Sequence, residues 1–154
     1  MIQRSKETLP LLYEADETAW LEAMSDLIAR GEYDELDFPH LGEYLADMAR
    51  RDRREVKSRL TRWIAHLLKW THQPQRRSGS WRATMIEQRQ ELSGLLERGV
   101  LRNHAEAVLA EAYADGIEQA AAETGLSAET FPGECPYTLD ELLSPDVLTE
   151  DATE

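Results

Sequence analysis

From Glu43 to Gln73 the chain runs without a glycine or a proline. No turn punctuates this stretch, and its apolar residues recur at helical spacing. At about 100° per residue, Val56, Leu60, Trp63, Ile64, Leu67, Leu68 and Trp70 fall on one continuous arc. The spacing predicts one long helix over about 39–72, opened by Asp37 and Pro39, with that arc as its core face. Its middle, ARRDRREVKSR, is so polar that it must be solvent-exposed or locally kinked. Arg59 and His66 lie side by side at the border of the arc.

A helix this long needs partners, and the flanking sequence supplies them. A helix is expected over about 16–30, capped by Asp16 or Thr18, stopped by Gly31, and striped by Trp20, Leu21, Met24, Leu27 and Ile28. After the loop QPQRRSGS, Ser80 is expected to cap a third helix that ends at Gly99. Asn103 and Glu106 read as a capping box for a fourth, over about 104–124, closed by Gly125. A turn near 127–131 and a small helix over 138–143, begun by Thr138, complete the pattern. Strand signals are nearly absent. The expected fold is all-α: an antiparallel bundle of about four main helices plus a short C-terminal helix. A single helical domain is expected over 1–143, with 144–154 as an acidic, flexible tail.

Charge is distributed unevenly. Residues 1–49 hold three Lys/Arg and twelve Asp/Glu; residues 50–102 hold fourteen and five; residues 103–154 hold none and thirteen. A basic centre therefore sits between acidic ends, and the net charge of -13 argues against non-specific nucleic-acid binding by the whole chain. The bland account is internal neutralisation, acidic helices packing beside a basic hairpin. The functional account leaves part of the basic surface open. The N-terminal MIQRSKETLPLLYEADE has no long apolar stretch, and no apolar run approaches a bilayer span, so a cytoplasmic protein without membrane attachment is expected. The one cysteine, Cys135, has no intrachain partner for a disulfide.

The densest chemistry lies in HLLKWTHQPQRRSGSWRATMIEQRQEL, His66 to Leu92. A short link after His72 forces the two helices around it to be antiparallel neighbours. That hairpin brings candidate ligand-binding residues toward one polar pocket: His66, Lys69 and Gln73 from its first arm, Arg76, Arg77 and Ser80 from the loop. Arg82, Gln88 and Arg89 come from the second arm, and Trp70 and Trp81 serve as apolar walls. Arginine forks and aromatic faces suit carboxylates, phosphates and stacked bases. Each residue also has a structural reading: tryptophans as core, Gln88 as a satisfied buried amide, arginines paired with nearby glutamates. The four histidines make no metal-ligand spacing with Cys135 or the carboxylates, no phosphate-binding glycine loop occurs, and no nucleophile elbow is present. No cofactor is expected.

YEADETAW, the central string above, AEAYADGIEQAAAETGL and FPGECPYTLDELL follow one another in order. Together, from Tyr13 to Leu143, they resemble a bacterial family known as domain of unknown function 29. The resemblance implies a small α-helical protein with no assigned activity, and it supplies no catalytic residues. This chain departs from the family's usual look in its acidic tail and in SGLLERGVLRN, where a serine-proline turn is expected. Two functions remain in view. One is a binding module whose hairpin holds an anionic ligand or a protein partner. The other rests on Arg59 and His66, whose spacing resembles the arginine–histidine signature of the HEPN (higher eukaryotes and prokaryotes nucleotide-binding) helical ribonucleases. In that family the pair is thought to act on the 2′-hydroxyl and phosphate of RNA, usually in a homodimer. Histidine can move the proton and arginine can neutralise phosphate charge.

Overall fold

The structure is a computed structural model that describes residues 8–148. It is all-α, with no strand among the described residues. The helices are α1 (Leu9–Ala15), α2 (Glu17–Ala29), α3 (Phe38–His72), α4 (Gly79–Leu95), α5 (Val100–Thr124) and α6 (Leu139–Leu143). The chain falls into two compact units, Met1–Arg51 and Asp52–Glu154, each with its own apolar cluster. Helix α3 supplies the end of the first and the start of the second.

In the first unit, Asp16 ends α1 and caps α2, its Oδ1 accepting from Ala19 N at 3.1 Å. Trp20, Met24 and Leu27 of α2 bury against Leu9 and Leu36, and the Tyr13 ring meets Trp20 edge-on at 4.8 Å. Gly31, at φ +73, stops α2 and lets Glu32 N donate back to Leu27 O at 2.9 Å. Helix α1 is an element the sequence reading did not contain. Seven residues show too little periodicity, and Pro10, which reads as a breaker, sits in its first turn, where proline is tolerated.

In the second unit, α3 and α4 run antiparallel, since Arg59 pairs with Glu91 near one end and Trp70 meets Trp81 near the other. Helices α3 and α5 run parallel, since Lys57 pairs with Glu111 and Lys69 with Glu123. At Gly116 the two come so close that a Cβ would lie 2.8 Å from Ile64 Cγ2 and 3.3 Å from Thr61 O. Helix α6 is held to α3 by Trp63, whose Nε1 donates to Leu142 O at 2.9 Å. A further 3-10 turn, Pro145–Leu148, buries Leu148, so packed structure continues into the segment expected to be a tail; residues 149–154 lie outside the described residues.

Three boundaries differ from expectation. Ser78, not Ser80, caps α4, its Oγ accepting from Trp81 N at 3.2 Å. Helix α4 stops at Leu95 rather than Gly99. Gly99, at φ +85, instead precedes α5, which begins at Val100, so Asn103 lies inside the first turn and forms no capping box. The polar middle of α3 resolves as the exposed alternative, with every residue from Ala49 to Glu55 exposed.

Candidate functional site

The loop between α3 and α4 is built on Trp70. Its ring is buried and meets Trp81 edge-on, centroids 5.0 Å apart. The Arg77 guanidinium lies 4.8 Å from the Trp70 ring centroid, and its Nε donates to Trp70 O at 2.9 Å. That carbonyl is one of the last of α3, without an intrahelical partner, and a cation is favoured there by the helix dipole. Arg77 therefore closes the helix end and holds the turn. Gln73 is buried at the exit of α3, its N–H bonded to Lys69 O at 2.9 Å. His72 turns away from the hairpin, bonding Leu68 O at 2.9 Å and meeting Phe131 edge-on.

One turn back, Lys69 Nζ lies 2.7 Å from Glu123 Oε2 of α5 and 5.9 Å from the Trp81 ring centroid. The bond to Lys69 draws the Glu123 carboxyl below its ordinary pKa. His66 stands beside this pair. Its Nδ1 is buried and has no hydrogen-bond partner among the described residues. Burial holds the imidazole below the ordinary histidine pKa, Lys69 and Arg62 add to the shift, and Glu123 opposes it. His66 thus stands beside an ion pair, with burial favouring its neutral form.

The remaining candidates go elsewhere. Arg59 is bound by Glu55, with Nε to Oε1 at 3.0 Å, and by Glu91 at 3.7 Å, and no hydrogen bond joins it to His66. Arg89 Nη1 donates to Leu143 O at 3.1 Å, satisfying the end of α6. Gln88 is half-buried and its side chain makes no hydrogen bond among the described residues. Ser80 is exposed and touches the Ser78 hydroxyl at 3.3 Å. Arg76 and Arg82 are exposed and have no ion-pair partner among the described residues. The hairpin therefore gathers Lys69, Trp70, Arg77 and Trp81, with His66 adjoining Lys69, and leaves Arg76 and Arg82 to solvent.

Glu123 is the residue the sequence reading missed. The signal was the acidic character of α5, whose Glu111, Asp115 and Glu123 neutralise Lys57 and Lys69 of α3. No group of three or more metal-ligating side chains occurs among the described residues, and no helix there is long and apolar enough to cross a membrane.

Comparison with curated proteins and with solved structures returns no match for either. A family profile, domain of unknown function DUF29, matches residues 12–148, all but the two ends of the chain. The chain belongs to the DUF29 family.

Proposed function

We propose that this protein is a binding module that holds an anionic ligand, or an acidic segment of a protein partner, on the α3–α4 hairpin. The observation that carries the reading is the pair Arg76 and Arg82, two exposed guanidiniums without a carboxylate partner among the described residues. Arg76 lies in the turn and Arg82 at the start of α4, on either side of the packed Arg77, Trp70 and Trp81 side chains. Lys57, Lys69 and Arg59 of the second unit are already neutralised, and Arg53, Arg54, Arg62 and Arg98, exposed and equally without an ion-pair partner among the described residues, lie outside this hairpin turn. A cation left over in a chain of net charge -13 favours ligands that deliver charge to that spot.

The test is calorimetric titration with a glutamate-rich peptide and, separately, with inorganic phosphate. Arg76→Glu with Arg82→Glu is expected to weaken binding by about tenfold or more at low salt and much less at high salt. Binding that the double variant keeps, or no binding of either probe, refutes the reading. The ribonuclease alternative has less support, because the Arg59 guanidinium is held by two carboxylates. RNA cleavage that both Arg59→Ala and His66→Ala abolish while staying folded would reverse that ranking.

A further inference from the structure

The first half of α3 carries an apolar stripe on a face separate from its core face. Phe38, Gly42, Leu45 and Ala49 are spaced by four, three and four residues, the spacing of a seam between paired helices. At about 100° per residue they share an arc of roughly 60°. All four are exposed, Phe38 at 57% and Leu45 at 59%. Leu41 and Tyr44, on the neighbouring face of the same turns, pack into the Trp20 cluster. Gly42 adds an independent sign. A Cβ there would meet nothing within 4 Å, so the fold of the unit has no need of glycine in this helix. Relative to alanine, a glycine in a helix interior is destabilising. Close approach of another helix is what such a position offers.

The order of sizes and charges selects the occupant. We infer that this stripe is a homodimer interface on which α3 packs antiparallel to α3 of a second copy. With Phe38 opposite Ala49 of the partner subunit, Leu45 falls opposite Gly42 of the partner subunit. Each bulky side chain meets a small one, and the two-fold axis repeats the match. The same register carries Arg50 and Arg51 to the level of the other copy's acidic link, where Asp34 and Glu35 are exposed and form no ion pair among the described residues. Arg51 has no ion-pair partner among them either, while Arg50 pairs with Asp47 of its own helix. A parallel arrangement would set acidic against acidic and basic against basic. The helix that complements this gradient of size and charge is therefore α3 itself.

Sedimentation equilibrium of the full chain over a concentration series tests this directly. The expected result is a concentration-dependent rise toward twice the chain mass of 17.6 kDa. Gly42→Leu places a side chain where the monomer has room, so circular dichroism should show unchanged helicity while dimer dissociation rises by about tenfold or more. Arg51→Glu should weaken the dimer, and Arg51→Glu combined with Glu35→Arg should restore it. A monomer at every concentration overturns the inference and leaves the stripe to a helix of a different protein. A dimer indifferent to Gly42→Leu and to the charge swap overturns it as well, placing self-association elsewhere.

Discussion

Trp20 in the first unit and Trp63 in the second are both almost wholly buried, and each indole N–H has found an acceptor. The acceptors differ in kind. Trp20 Nε1 donates to the carboxylate of Asp37 at 3.1 Å, and the same carboxylate binds His40 Nδ1 at 2.8 Å and accepts from His40 N at 3.5 Å, opening α3. Trp63 Nε1 donates to the backbone carbonyl of Leu142, and the residue sits in the apolar cluster drawn from α3, α4, α5 and α6. A unit of about fifty residues buries little apolar surface, and here one polar hub orders its helix entry and its central tryptophan together. The larger unit spreads the same duty over many side chains.

The largest expected effect lies in the larger core. Trp63→Ala empties the centre of the second unit and frees the α6 carbonyl, at a cost of about 3–5 kcal/mol read from urea denaturation. Asp37→Ala should come next, about 2–4 kcal/mol, because it leaves the buried indole N–H of Trp20 without an acceptor and removes the cap of α3. If Asp37→Ala costs no more than an ordinary surface change, the hub is not what holds the first unit, and the contrast fails. Gly116→Ala probes the second unit from its closest helix contact. With Ile64 Cγ2 at 2.8 Å and the Thr61 carbonyl at 3.3 Å from the added carbon, about 1–3 kcal/mol is expected. Gly42→Ala, with open space around it, should instead stabilise the monomer slightly.

The same contrast explains what could be read before the structure. The apolar arc of α3, the stops at Gly31 and Gly125 and the Thr138 cap of α6 were legible because each is a local pattern with a local cause. Ser78 and Ser80 could not be ranked by their own chemistry. Each can accept from the N–H groups of a first turn, and the Ser78 hydroxyl is the one placed to accept from Trp81 N. Gly99 reads as a stop because a glycine after a periodic run usually is one, whereas α4 has already ended four residues earlier, at Leu95. At the hairpin, the cations and tryptophans were visible, but their partners were not. Glu123 lies 54 residues beyond Lys69, and Leu143 as far beyond Arg89. Spacing along one helix says nothing about which carboxylate a neighbouring helix will bring, so the reading grouped residues that the fold divides among α5, α6 and solvent.

The smallest effect concerns protons and sharpens the comparison of the two units through their histidines. His40 Nδ1 is bonded to Asp37, whereas His66 Nδ1 is buried with no partner among the described residues. Burial, Lys69 and Arg62 hold folded His66 below its ordinary pKa of 6.5, with Glu123 opposing. The unfolded chain therefore takes up this proton at higher pH than the folded one. It follows that the contribution of neutral His66 is complete above the ordinary pKa and is lost as pH falls below it, toward the folded value. Glu123, drawn down by Lys69, acts in a lower window, adding stability above the ordinary carboxylate pKa and losing it as pH falls through the folded one. Comparing urea midpoints at about pH 7.5 and about pH 5.5 isolates the histidine window. His66→Leu should flatten the difference, while His40→Leu should lower stability at both pH values by removing a partner of Asp37. Because the His66 imidazole is half-buried and Glu123 offsets part of the shift, the change should fall below those of the core variants. If His66→Leu leaves the acid slope unchanged, the unpartnered nitrogen carries no energetic consequence.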